Sequence, residues 1–257
     1  MDDGRDDGRD SRPAPIDISK RPRYVCRQWI ASTIVMTATP FVLYGAPGSG
    51  ATPVHAALTL IGEAVKVVDV APWQGDLERN RLTAINPMRQ VPVLVLPSGE
   101  IMTESAAMLI WLADRYPEAG LAPLLDDPMR AQYLRWMSFV SSSIYSLYWA
   151  RDEPSRLAAT EEGEAVVLDR TAERIAQCWR DMDAQLPRGF RYLLGDRLTV
   201  LDLYVTVVSR WQPRRLRFYR EAPRMAEVVR RVDAEPRLMN HWTARYPFVA
   251  DWESQGP

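Results

Sequence analysis

Short apolar runs punctuate the first half of the chain. Phe41-Val-Leu-Tyr44, the valine-rich stretch 65–70 and Val93-Leu-Val-Leu96 are each too short for a buried helix and read as strands. Between the first two, Val54, Leu58 and Ile61 recur at helical spacing, and the pattern stops at Gly62. Strand, helix and strand joined by a short crossover predict a parallel pair. Residues 72–84 are polar and mixed, an irregular helix or loop. After Leu96 the chain turns at Pro97-Ser98-Gly99 and resumes at Ile101-Met102, which is a hairpin signal. Ala106, Leu109, Ile110 and Ala113 then mark a helical face that ends at Tyr116-Pro117.

Beyond residue 118 strand patterns vanish. Residues 129–149 carry Leu134, Met137, Phe139, Val140, Ile144 and Leu147 and predict one long helix. Residues 164–186 predict another, with Val167, Leu168, Ala172, Ile175, Trp179 and Met182. A connecting loop spans 188–197, a helix opens at 198–204 and runs toward Trp211, and shorter helices fit 222–233 and 237–242. The expected architecture is an α/β unit over 39–118 followed by an all-helical domain over 126–250.

Residues 1–38 differ from both. Asp2-Asp-Gly-Arg5 repeats at once as Asp6-Asp-Gly-Arg9, and Arg12-Pro-Ala-Pro-Ile16 adds turn formers. Charge and proline without apolar periodicity predict a disordered extension. The apolar part of 29–36 is short for a signal peptide and contains Ser32 and Thr33. Met36, just ahead of the first strand, is an alternative start of translation.

Composition narrows the function classes. The formal charge of −1 in 257 residues gives no basic excess for neutralising phosphates, so a dedicated nucleic-acid binder is excluded. Lysine occurs only as Lys20 and Lys66, so the arginine richness reads as codon bias. Cys26 and Cys178 form no CxxC or disulfide framework, and His55 and His241 lack the spacing of a metal site. No apolar run is long enough to span a membrane.

The stretch 86–105 concentrates the local signals. Pro92 cannot donate to a sheet ladder and belongs at the start of its strand, where a cis bond before it is compatible. Ser105 reads as the N-cap of the next helix, whose unpaired N–H groups would attract a carboxylate. Farther on, Thr199-x-x-Asp202 is a capping box, a structural device. The turn Gly45-Ala-Pro-Gly-Ser-Gly50 is neither a Walker loop, lacking Lys-Ser/Thr, nor a GxGxxG fingerprint.

In this order, the glycine turn, Val91-Pro92, Thr103-Glu104-Ser105 and Gly195-Asp-Arg-Leu-Thr-Val-Leu-Asp-Leu-Tyr204 resemble a cytosolic-type, bacterial glutathione S-transferase over roughly residues 40–245. The resemblance implies a thioredoxin-like domain followed by a helical one, a cytoplasmic homodimer, and glutathione as co-substrate with no metal. It implies that Val91, before a cis Pro92, pairs its backbone with the cysteinyl part of glutathione. Glu104 and Ser105 would hold the γ-glutamyl end. That agrees with elementary chemistry, since a carboxylate pairs with an α-ammonium and a helix N-terminus receives an α-carboxylate. Arg89 is a candidate for the glycyl carboxylate.

The implied reaction is attack of the glutathione thiolate on an electrophilic, largely apolar molecule, as in detoxification. A hydroxyl aimed at the sulfur would stabilise the thiolate. The family's tyrosine position falls on Gly45, and its cysteine position near Gly50, so neither residue type is present. The serine position falls on Ser49, the expected catalytic group. Thr52 is the fallback, and a backbone N–H of the turn is a third option. Tyr145, on an aromatic-rich helix, is a candidate for the second-substrate pocket. The alternative is a non-catalytic relative that binds a ligand or a regulatory partner on the same scaffold.

Overall fold

A computed structural model describes residues 39–253. The expected disordered extension, 1–38, lies outside them. Four strands, β1 (Phe41–Gly45), β2 (Val65–Asp69), β3 (Val93–Val95) and β4 (Ile101–Met102), form one sheet in the order β2-β1-β3-β4. β1 and β2 are parallel, with Leu43 opposite Val67. β3 runs antiparallel to β1, pairing Val93 with Tyr44, and β4 returns antiparallel to β3. The hairpin closes through Leu96 N–H to Glu100 O and Gly99 N–H to Leu96 O, both 2.8 Å. Gly99 supplies the positive φ of 88° that the turn requires.

Three helices complete this layer: α1 (Ala51–Ile61), α2 (Asp76–Thr83) and α3 (Ser105–Arg115). The polar stretch 72–84 contains a 3-10 turn, Pro72–Gln74, and then α2, so it is more ordered than its pattern suggests. α1 packs on β1 and α3 and, on its other side, on α7 of the helical region. This is the thioredoxin-like arrangement, with a helical region following it.

That region contains α4 (Arg130–Phe139), α5 (Tyr148–Arg151), α6 (Glu161–Gln185), α7 (Val200–Val208), α8 (Arg214–Glu221), α9 (Pro223–Asp233) and α10 (Met239–Arg245). The long helix expected over 129–149 is broken. After α4 the chain makes a π turn, Val140–Ile144, and a 3-10 turn, Tyr145–Leu147, before α5. Ser142 and Ser146 donate to the carbonyls of Ser138 and Ser142, four residues back, and compete with the regular ladder there. Such π turns recur at functional sites.

α7 is the centre of the helical region. All nine of its residues are buried, as expected for a helix apolar on every face. Its start carries the capping box in full. Asp202, fully buried, accepts from Thr199 N–H and Thr199 O–H, both at 2.7 Å, and from Leu193 N–H at 2.9 Å. One carboxylate thus fixes both the helix start and the preceding loop. Burial nonetheless raises its pKa to about 6.

Candidate active site

A cleft of about 1980 Å³ opens between the sheet layer and the helical region. Three loops of the first layer reach it, and each is shaped by its own sequence. The loop before β3 is organised by Asn86, which is 3% exposed. Its Nδ2 donates to Gln90 O at 2.9 Å, its Oδ1 accepts from Met88 N–H at 3.1 Å, and its carbonyl accepts from Arg89 N–H at 2.8 Å. The loop ends at a cis Val91-Pro92 bond. Among the described residues, no hydrogen bond uses the backbone N–H or C=O of Val91, which faces the cleft. Exposed Arg89 also lines the cleft, with a φ of 55°.

The second loop is the start of α3. Here the sequence expectation needs correcting: Ser105 is the first helical residue and Glu104 occupies the cap position. Glu104 makes no side-chain capping bond and holds a φ of 64°, a region that costs a non-glycine residue of order 1 kcal/mol. Its carboxylate is exposed to the cleft. Ser105 is buried and its hydroxyl donates to the Tyr204 hydroxyl of α7 at 3.3 Å. The first-turn N–H groups of α3 have no acceptor among the described residues, which leaves a helix N-terminus open to an anion. Val91 and the Glu104-Ser105 pair, separate in sequence, thus line one cleft.

The third loop is the glycine turn. Ser49 Oγ donates to Ala46 O at 2.7 Å and accepts from Ala46 N–H and Ala51 N–H, both at 3.2 Å. A hydroxyl has one donor and two acceptor sites, so this one is fully used. In this arrangement Ser49 clamps the turn and starts α1, and it has no proton to offer a sulfur. Thr52 is 2% exposed and is absent from the cleft lining. Gly45, in the family's tyrosine position, has no room for a side chain: a Cβ there would stand 2.2 Å from Ala51 Cβ.

The helical region supplies the rest of the lining. Trp211 Nε1 donates to Gly48 O at 2.7 Å, and Gly48 N–H donates to Arg245 O at 2.9 Å. Gly48 needs its freedom, with a φ of 73° and the Tyr246 ring 3.0 Å from where a Cβ would be. Tyr145 and Tyr148 both meet Trp211 edge-on, with ring centroids 4.9 Å apart in each pair. Burial pushes the Tyr145 and Tyr148 phenols well above their usual range, so both are neutral O–H donors. Tyr148 uses its proton on Gln212 O at 2.7 Å.

Farther along the wall stand Arg151, Arg214 and Arg217. Arg217 pairs with Glu173. The Nε atoms of Arg151 and Arg214 are buried without a partner, and Arg151 donates to Leu168 O and Thr171 Oγ1. Sequence reasoning missed Asn86, Tyr204, Trp211 and these arginines. Asn86 and Trp211 carried a weak signal, as a polar residue ahead of Pro92 and as the end of the predicted helix, and Tyr204 closed the Gly195–Tyr204 motif; the arginines carried none.

A four-stranded thioredoxin-like layer with a cis-proline loop and an open helix start, backed by a helical region, defines the class of this protein. Residues 43–120 match the family model described as glutathione S-transferase, N-terminal domain. The chain is 30% identical over 199 residues to the GST-like protein YncG of Escherichia coli strain K12, covering 76% of this chain and 94% of that one. It is 25% identical over 178 residues to glutathione S-transferase GstA of Escherichia coli O157:H7, covering 66% and 81% respectively. In structure it resembles a glutathione transferase homologue from Sulfitobacter, crystallised with bound glutathione. That match has a TM-score of 0.70 and 25% identity, and covers 80% of this chain and 98% of the other. The chain belongs to the glutathione S-transferase family.

Proposed function

We propose that this protein is a glutathione transferase in which the backbone of Val91 and the Glu104-Ser105 pair hold glutathione. The observation that carries the reading is their convergence on one cleft, with the Val91 peptide groups and the α3 N-terminus both unpaired among the described residues. The γ-glutamyl carboxylate would take the α3 N–H groups and its ammonium the Glu104 carboxylate. Arg89, which lines the same cleft, would meet the glycyl carboxylate. Pro92, Thr199 and Asp202 are structural in this reading, and 39–118 and 126–250 are its two domains.

Held as thiolate, the sulfur attacks an electrophilic carbon of the second substrate. An S–C bond forms, the bond to the leaving group breaks, and the leaving group departs with its electron pair; the thiol proton has gone to solvent. Tyr145, Trp149 and Trp211 offer apolar surface for that substrate, while Arg151 and Arg214 suit a negatively charged substituent on it. The protein would act in the cytoplasm as a homodimer.

Retention on glutathione–agarose and turnover of chlorodinitrobenzene test the reading together. Wild type should be retained and active, whereas Glu104→Ala and Ser105→Ala should each weaken glutathione binding about tenfold or more. A wild type that is not retained overturns the site assignment. The second reading, a ligand- or partner-binding relative without catalysis, draws on the saturated Ser49 hydroxyl. Retention without turnover would select it.

A further inference from the structure

We propose that the Tyr145 hydroxyl, delivered from the helical region, is the group that holds the glutathione thiolate. This rests on the glutathione-binding reading above and supplies the catalytic group that the glycine turn lacks.

The geometry begins at Gly50, the residue before α1. A Cβ built on Gly50 would stand 2.4 Å from the Tyr145 hydroxyl, 3.2 Å from the Tyr145 ring and 3.2 Å from Pro92 Cδ. The phenolic oxygen therefore lies in the volume where a side chain at position 50 would begin, between the turn and the cis-proline loop. Glycine at position 50 leaves the turn without a side chain of its own there, and it also makes room for a hydroxyl arriving from across the cleft. A sulfur held beside Val91, with the ligand backbone along the cis-proline loop, would come next to that oxygen.

Availability separates Tyr145 from three other hydroxyls of the cleft. Ser49 is saturated within its turn, Tyr148 donates to Gln212 O, and Ser105 donates to Tyr204. Tyr145 lines the cleft, and among the described residues its hydroxyl has no hydrogen-bond partner. The ring is also held firmly. Its neighbours are Trp211, edge-on at 4.9 Å, and Tyr204, at 6.2 Å, and Trp211 is itself tied to Gly48 O. Tyr145 directly follows the π turn, the break that changes which face of the chain meets the cleft.

Burial keeps the phenol protonated, so it serves as a donor and not as a base. A hydrogen bond from a neutral donor to an anion favours the thiolate over the thiol. The bonding step stays the one described above: the thiol proton leaves to solvent, and Tyr145 keeps its own.

Tyr145→Phe in the full chain tests this, because it keeps the ring on Trp211 and removes only the O–H. The bound thiol is titrated by the ultraviolet absorbance of its thiolate, and chlorodinitrobenzene turnover is followed from acidic to alkaline pH. Glutathione affinity should stay within about threefold of wild type. The thiol pKa should rise by about one to two units, with turnover at neutral pH falling about tenfold to hundredfold and recovering at alkaline pH. Gly50→Ala, which pushes a methyl into the hydroxyl's place, should shift the pH profile in the same direction. An unchanged thiol pKa in Tyr145→Phe with glutathione bound overturns the proposal. So does a shift caused by Ser49→Ala and absent from Tyr145→Phe. Wild type that fails to bind glutathione at all sinks the underlying reading and this assignment with it, and needs no variant to be seen.

Discussion

Asn86 shows how one residue can shape a loop of the cleft. It is buried, and both ends of its amide are used within the four residues that follow. Asn86→Ala leaves the Met88 N–H and the Gln90 carbonyl without these partners, at a cost of about 1–3 kcal/mol. Urea unfolding should show that loss, and glutathione affinity should fall because the loop carries Val91. Part of the site was legible at this scale. Val91-Pro92 and Glu104-Ser105 stood out because proline, an acid and a serine at a helix start each have a local backbone consequence. The use of the Ser49 hydroxyl within its own turn was not legible, because a sequence cannot say where a hydroxyl spends its proton. Tyr204 was visible only as the end of the Gly195–Tyr204 motif, because its partner Ser105 lies 99 residues away in sequence.

Among the elements, the strands and α1, α3, α6 and α9 were readable because each presents an apolar run or stripe of the right period. α8 was not. Its sequence, Arg214-Arg-Leu-Arg-Phe-Tyr-Arg-Glu221, is dominated by charge, yet Arg215 is completely buried. Its two terminal nitrogens donate to Asp233 of α9 at 2.8 Å and to Thr206 O of α7 at 2.7 Å. No hydrophobicity pattern anticipates a helix anchored by a buried cation. Asp233→Asn would leave that cation without its counter-charge and should cost about 3–5 kcal/mol, read as a lowered urea midpoint. The broken helix after α4 escaped for another reason: a single π turn shifts register without interrupting the apolar series.

Across the whole molecule, α1 and α10 meet through two histidines. His55 and His241 stack edge-on at 4.8 Å, facing Arg245 and Asp69, which pair with each other at 2.6 Å. Burial and the Arg245 charge lower the pKa of His55 to about 4; burial and the charges of His55 and Arg245 lower that of His241 to about 3. Both are neutral at pH 7. Below pH ~6.5 the unfolded chain takes up protons that the folded chain refuses. Their contribution to stability is thus intact above pH ~6.5 and lost as pH falls through about 4 and then about 3. Asp202, raised to about 6, acts in the opposite sense: its contribution is present below its ordinary value and lost as pH rises through about 6. Comparing wild type with His241→Phe cancels the Asp202 effect. The variant should lose less stability between pH ~7 and ~5 in urea titrations, and equal losses would remove the histidine pair from the account.

Gly48 has a consequence for the order in which the protein is made. Its two backbone groups are held by Trp211 and by the carbonyl of Arg245. A nascent chain emerges N-terminal part first, so the sheet layer can assemble while those partners are still inside the ribosome. The glycine turn acquires its final anchors only after residue 245 has been translated and released from the tunnel. Ribosome-bound intermediates would therefore carry a glycine turn that is not yet fixed.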